Sequence, residues 1–236
     1  MTTNKYIDML AFFGVHGAHP GGMALTQQLL DEIELTPTSD VLDAGCGIGE
    51  TARFLAENFD CHIHALDHHP GMIEKAKQMH SDVNPSIYFC EGNVEDLPFK
   101  PNSFDLILSE STAAFTNQPV TAQEFYRVLK PGGSLLAIEM TALHPEPTLE
   151  LRYQEFYGIT KLLTAKQWID LWRQTGFSDV QASRVPVLPS TYTAFTPDQH
   201  IPDQYMDLLQ QHQELQLAHS EKISGYIYRA KKSVHA

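Results

Sequence analysis

A chain of 236 residues is long enough to bury the core of one α/β domain with insertions. Its formal net charge of −13 repels phosphate backbones and anionic lipid, so neither nucleic acid nor a membrane surface is an expected partner. The opening MTTNKYIDML lacks a basic start ahead of an apolar core, and the cysteines at 46, 61 and 90 show no CxxC spacing, which together read as a cytoplasmic protein with free thiols.

In chain order, the segment Phe12-Phe-Gly-Val-His-Gly-Ala-His-Pro-Gly-Gly22 comes first, ahead of a helix expected from about Ala24 to Leu35. Strands are expected at 40–44, 61–66, 86–91, 104–109, 134–140, 178–185 and 224–230, several of them continuous apolar runs of the kind covered on both faces. Between them, Ala52, Leu55, Ala56 and Phe59 form one helical stripe, and Ala122, Phe125, Tyr126 and Leu129 another. Pro131-Gly-Gly133 reads as a turn before the fifth strand. Thr164-Ala-Lys-Gln167 is a capping box opening a helix that carries Trp168, Leu171 and Trp172 inward and stops at Gly176. A last helix is expected from about Asp203 to His219, with Tyr205, Leu208, Leu209 and His212 on one stripe. This alternation predicts an α/β, doubly wound, mostly parallel sheet whose ligands bind beyond the carboxyl ends of its strands.

The first strand runs into a glycine loop, VLDAGCGIGETARF, residues 41–54. A dinucleotide fingerprint would place glycines at 45, 47 and 50, but position 50 is Glu and the third glycine is Gly49. Asp43 sits inside the end of the strand, two residues before Gly45, where a carboxylate suits a cationic ligand better than a pyrophosphate.

On these residues the chain resembles the class I S-adenosylmethionine-dependent methyltransferases, in particular their small-molecule branch. VLDAGCGIG looks like that family's first motif, and the similarity runs from about residue 38 to 140, more weakly to about 185. The resemblance implies a Rossmann-like sheet with an antiparallel last strand, in one methyltransferase domain over 1–236. Within it, 1–37 would form an N-terminal lid and helix, 38–141 the cofactor core, and 142–163 and 186–222 the substrate-covering segments, the latter a C-terminal helical insertion.

The cofactor implied is S-adenosyl-L-methionine, held by Asp43, Gly45, Cys46, Gly47 and Gly49 of the loop. Asp67 would accept both ribose hydroxyls, with His68 beside the adenosine. Glu91-Gly-Asn-Val-Glu-Asp-Leu-Pro-Phe99 resembles the adenine-edge segment, so Asn93, Val94 and Glu95 join the set, and Ser109 closes it at the end of the fourth strand. Many members have Asp where this chain has Asn93, whose amide still offers an acceptor. Duller readings stay open: Asp67 as a helix N-cap before Pro70, Met72 as core rather than an adenine wall, Cys46 as a loop filler.

His62 and His64 share one face of a strand, with His68 and His69 just beyond it, but a strand pair supplies only two ligands and no metal is expected. For methyl transfer the protein needs chiefly to align a nucleophile and exclude water, with a base if the acceptor bears a proton. His16, His19 and Glu110 are the candidates. Ser109-Glu-Ser-Thr112 lacks the Asn/Asp-Pro-Pro-aromatic motif of enzymes that methylate base or glutamine amines, which with the acidic charge points to a small-molecule acceptor. A non-catalytic S-adenosylmethionine-binding module and an NAD-dependent oxidoreductase are the rival readings.

Overall fold

The computed structural model describes residues 4–15, 17–81, 87–186 and 201–234. Seven strands form one sheet: β1 (Asp40–Ala44), β2 (His62–Asp67), β3 (Ile87–Glu91), β4 (Phe104–Glu110), β5 (Leu129–Ala142), β6 (Phe177–Arg184) and β7 (Ile223–Lys232). Their order is β3-β2-β1-β4-β5-β7-β6. The first five pair in parallel, and β7 runs antiparallel to both of its neighbours, as expected of the last strand. The direction of winding reverses between β1 and β4, so the ligand crevice of such a sheet falls at the carboxyl ends of those two strands.

Alternation along each central strand feeds two cores. Leu42, Ile107, Leu135 and Ala137 face one side, packed with Phe125, Trp168 and Trp172 from α5 (Gln118–Val128) and α7 (Ala165–Thr175). Val41, Leu106, Leu108, Leu136 and Ile138 face the other, packed with Leu25, Leu29 and Leu55 from α2 (Gly22–Leu30) and α3 (Glu50–Asn58). Asp43 and Glu110 continue the second series, so their side chains leave the sheet toward α2 and α3.

Three details depart from the sequence reading. A helix not anticipated, α1 (Lys5–Phe13), opens the described chain: the Asn4 side chain accepts the Tyr6 and Ile7 amides, and Gly14 ends it in the left-handed conformation. The next helix, α2, stops at Leu30 rather than Leu35, because Ile33 and Leu35 are half-buried in strict alternation, which an extended segment satisfies and a helix does not. Pro131–Gly133 is not a turn ahead of β5 but a bulge within it: Phe104 pairs with Leu129 and Leu106 already with Ser134, so the intervening residues of β5 loop out.

The remaining helices are α4 (Pro70–Met79), α6 (Pro147–Tyr157) and α8 (Asp203–Ala218). Both α6 and α8 join the sheet where Ala142 of β5 pairs with Ile223 of β7, at the carboxyl edge. The proline-marked stretch at 187–200 lies outside the described residues. No described helix is long and apolar enough to cross a membrane.

Candidate active site

The glycine loop between β1 and α3 is built by backbone geometry. The Gly45 and Cys46 amides both donate to the Leu66 carbonyl, at 2.7 and 3.0 Å, which folds the loop over the end of β2. Gly45, Gly47 and Gly49 all have positive φ, but a side chain would meet different things at each. A Cβ on Gly45 would collide with Thr112, and one on Gly49 with the Phe89 ring, whereas one on Gly47 would find nothing within 4 Å. Two of the glycines therefore serve packing, and the middle one faces open space. His80, buried at the end of α4, contacts the Ile48 carbonyl through Nε2 at 2.9 Å and stacks on Phe89, pinning the loop from behind.

Asp67 spans the loop and the next helix. Its Oδ2 accepts the Gly47 amide at 2.9 Å and its Oδ1 the His69 amide at 2.8 Å. The N-cap of α4 is His69, whose Nδ1 accepts the Met72 amide and whose Nε2 lies 3.3 Å from Asp8 of α1. His68 is mostly exposed, its Nδ1 3.6 Å from Asp67. Met72 is buried in a small cluster with Ile48 of the loop and Ala11 of α1, so α1 lies against the loop.

Asp43 is buried to 2% exposure, and its Oδ2 has no hydrogen-bond partner. Burial first, then the charges of Glu110 and Asp67, hold its carboxyl well above the usual carboxylate range. Burial, reinforced by Asp43 and Asp67, likewise raises the Cys46 thiol, which suits a loop-filling side chain rather than a nucleophile.

On the adenine-edge segment, Asn93 is exposed and its Oδ1 accepts the Glu95 amide at 2.9 Å, while Val94 is buried in the core. Glu95 turns away to accept the Asn117 amide at the start of α5. Ser109 is fully buried, and its hydroxyl points at Glu139 of β5. That carboxyl also accepts the Ala113 and Ala114 amides, at 3.0 and 3.3 Å, and burial pushes its pKa up to about 8.

Glu110 is the centre of a polar cluster drawn from four elements. It accepts the Thr26 hydroxyl from α2, accepts the Thr51 hydroxyl from α3 at 2.7 Å, and lies 3.4 Å from His19 Nε2 in the N-terminal loop. Ser111 turns left-handed at φ +55° directly after it, and Thr112 donates to the Ala44 carbonyl at 3.0 Å, tying the end of β4 to the end of β1. Two of the base candidates, His19 and Glu110, are thus side by side; the third, His16, lies outside the described residues.

The strand histidines stand apart. His62 is 3.2 Å from Asp40, and the His64 ring packs against Tyr88, Phe99 and Phe104. Among the described residues no group of three or more His, Cys, Asp or Glu is placed to hold a metal ion. Aromatic rings join α1, α6 and α8: Tyr6 stacks on His212 and meets Tyr157 edge-on, and the Tyr157 hydroxyl bonds to His212 Nδ1 at 3.0 Å.

Thr26, Thr51, His80, Thr112 and Glu139 escape a reading of the sequence. The Thr hydroxyls and His80 carry no signal until the tertiary fold brings them to the loop. Glu139 does carry one, as the single charge in the apolar run Ser134-Leu-Leu-Ala-Ile-Glu-Met140.

Comparison with known proteins gives consistent matches. A family profile described as "Methyltransferase domain" matches residues 41–133. The Bacillus subtilis protein named uncharacterized methyltransferase YodH is 36% identical over 235 residues, covering 97% of this chain and 100% of that one. Phosphoethanolamine N-methyltransferase 1 of Arabidopsis thaliana is 30% identical over 72% of this chain, which spans only 35% of that protein. Among solved structures, Haemonchus contortus phosphoethanolamine N-methyltransferase 2, in complex with phosphomonomethylethanolamine and S-adenosylhomocysteine, superposes with a TM-score of 0.79 at 21% identity, covering 98% of this chain and 58% of that one.

Proposed function

We propose, for a chain that belongs to the S-adenosylmethionine-dependent methyltransferase family, that the glycine loop, Asp43 and Asp67 hold the cofactor and that His19 and Glu110 meet the acceptor. The reaction is methyl transfer from S-adenosylmethionine to a small-molecule acceptor. When bound, the cofactor supplies a methyl group already activated by its sulfonium.

The residues present fit that group. The orphaned, buried Asp43 Oδ2 is an acceptor that a cationic ligand end would satisfy, because a buried carboxyl oxygen without a donor is costly. The open space at Gly47 lets a ligand approach the backbone. Each Asp67 oxygen takes one amide and keeps a second lone pair for a ribose hydroxyl. Asn93 and Val94 remain the candidates for the adenine edge, and His68 and Met72 for its flanks.

The observation that carries the catalytic part is the approach of His19 to Glu110. His19 Nδ1 lies 3.3 Å from the Pro20 carbonyl and Nε2 3.3 Å from the Thr26 hydroxyl oxygen; in the tautomer with the proton on Nδ1, Nε2 serves as a base once an acceptor's N–H or O–H reaches it, and Glu110 at 3.4 Å stabilises the imidazolium that forms. The rings of Tyr6, Tyr157 and His212 cover the crevice in this reading, together with α8, and exclude water. The free cysteines support a cytoplasmic location.

Calorimetric titration with S-adenosylmethionine, S-adenosylhomocysteine and NAD in parallel tests the cofactor site. Saturation by the first two alone supports it, and binding of NAD alone refutes it. His19→Gln tests the chemistry: lost turnover with S-adenosylhomocysteine binding retained supports a base, and lost binding makes His19 part of a lid instead.

A further inference from the structure

We propose that the acceptor is an amine carrying no phosphate, attracted as its ammonium by Glu110 and relieved of a proton by His19. The proposal rests on the methyl-transfer reading above and names the substrate class of the same site.

Glu110 ends β4 at the crevice with its side chain 11% exposed, and its partners are two hydroxyls and an imidazole, with no lysine or arginine among them. Asp43 lies within electrostatic reach of both Glu110 and Asp67. Its buried, unpartnered Oδ2, given above to the cationic end of the cofactor, supports a crevice beside Glu110 that receives donor-bearing ligands. One bound sulfonium cofactor, with an ammonium and a carboxylate of its own, adds a single net positive charge. Opposite Glu110 and Asp67, that leaves room for a second cation and disfavours an anion.

Recognition of a phosphate monoester needs charge-assisted donors, usually arginine forks, lysines or a helix N-terminus. The segment 12–22, which carries His19, contains neither lysine nor arginine. Near the carboxyl edge of the sheet, Lys75 bonds the Ala11 and Phe12 carbonyls, Lys222 pairs with Glu146, and Arg184 Nε donates to the Ser224 hydroxyl. The acidic field of the whole chain acts in the same sense, drawing cations toward the crevice and slowing the approach of a phosphate dianion.

Glu110 holds the ammonium beside His19, and Nε2 of His19 takes one of its protons. The freed nitrogen lone pair forms the bond to the methyl carbon as the carbon–sulfur bond breaks with its electrons on sulfur. The proton on His19 passes to solvent, so the products are a methylammonium, a neutral thioether and one proton.

Calorimetry with S-adenosylhomocysteine comes first, because a protein that binds neither this nor S-adenosylmethionine refutes the methyl-transfer reading itself, whatever the acceptor. The S-adenosylhomocysteine complex is then titrated with ethylamine, ethanolamine, benzylamine, phosphoethanolamine and benzyl alcohol, and S-adenosylhomocysteine release from S-adenosylmethionine is measured with each. The expected result is that at least one unphosphorylated amine binds and is methylated at least about tenfold better than phosphoethanolamine and the alcohol. Glu110→Gln should weaken amine binding by about tenfold or more while S-adenosylhomocysteine affinity holds within about threefold, and Glu110→Asp should recover part of the loss. Preference for phosphoethanolamine or the alcohol overturns the proposal, as does failure of every amine. Parallel loss of S-adenosylhomocysteine and amine affinity in Glu110→Gln also overturns it, since Glu110 would then belong to the cofactor. Should Glu110→Gln fail to fold, the preference of the unmodified protein between ethanolamine and phosphoethanolamine decides the matter alone.

Discussion

The Thr112 hydroxyl donates to the Ala44 carbonyl, and a Cβ on Gly45 would lie 2.0 Å from that same hydroxyl oxygen, so the bond that ties β4 to β1 is also what bars a side chain at position 45. Gly45→Ala must displace Thr112 as well as strain a left-handed backbone, at a cost of about 3 kcal/mol or more. Gly47→Ala bears only the backbone strain, about 1–2 kcal/mol, because nothing stands where its Cβ would go. Thermal melts should therefore separate the two variants by several degrees. In calorimetry Gly47→Ala should stay folded yet bind S-adenosylhomocysteine at least about tenfold more weakly. Equal melting temperatures would contradict the packing role of Gly45.

Asp67→Asn turns one amide-accepting oxygen into an NH2 group facing a backbone donor. Gly47 or His69 then loses its partner, and the ribose loses one acceptor. A loss of about 2 kcal/mol in cofactor affinity is expected, roughly thirtyfold in Kd. An unchanged Kd by calorimetry would leave Asp67 a purely structural link between the loop and α4.

Glu139 sets an alkaline trend in stability. Its carboxyl titrates at about 8 in the fold against an ordinary 4.5, so between those values the folded protein holds a proton that the unfolded chain has released. Stability accordingly falls as pH rises from 4.5 to about 8 and is level beyond. The effect is on the order of 5 kcal/mol. Glu139→Gln should flatten this limb in urea unfolding at several pH values. The expectation fails if the variant and the parent show the same slope.

The acid side belongs to half-buried histidines. Burial lowers the His212 pKa below 6.5, so the contribution of neutral His212 is complete above that value and is lost as pH falls through the folded one. His64 shifts the same way for the same reason. Protection factors against hydrogen exchange in α8, each corrected for the intrinsic exchange rate at its own pH, should be lower at about pH 5 than at about pH 7.5. His212→Phe, which keeps a ring against Tyr6 and Tyr157, should remove that difference in α8 while leaving any contribution of His64 in place.

The sheet was readable because parallel strands buried on both faces leave short apolar runs, and Val41-Leu-Asp-Ala44 and Phe104-Asp-Leu-Ile-Leu-Ser109 are such runs. The first helix was readable too, since Asn4, the stripe Tyr6, Met9, Leu10 and Phe13, and the stop at Gly14 mark it, but the glycines that follow draw attention away. Asp67 and Glu110 stood out by position, one residue past an apolar strand. Their partners did not. Whether Thr26 and Thr51 point at solvent or at a carboxylate depends on the angle between α2, α3 and the sheet, which no local pattern encodes. The interruption of β5 at Pro131–Gly133 shows the same limit, because a turn and a bulge use the same residues and differ only in what the chain pairs with next.

The place of β7 between β5 and β6 also orders events in time. During synthesis β6 and α7 leave the ribosome before residues 223–232, and β6 pairs in the sheet with β7 alone. Until then the parallel half from β1 to β5 can assemble, but Trp168, which packs with Tyr228, has no finished core to enter. At that stage Trp168 lacks part of its cover and β6 is an unpaired strand, which a chaperone or another chain can reach. Arrival of β7 ends that stage in one step: it fills the gap in the sheet and seats the Lys232 ammonium on Asn102 and the carbonyls of Tyr126 and Leu129.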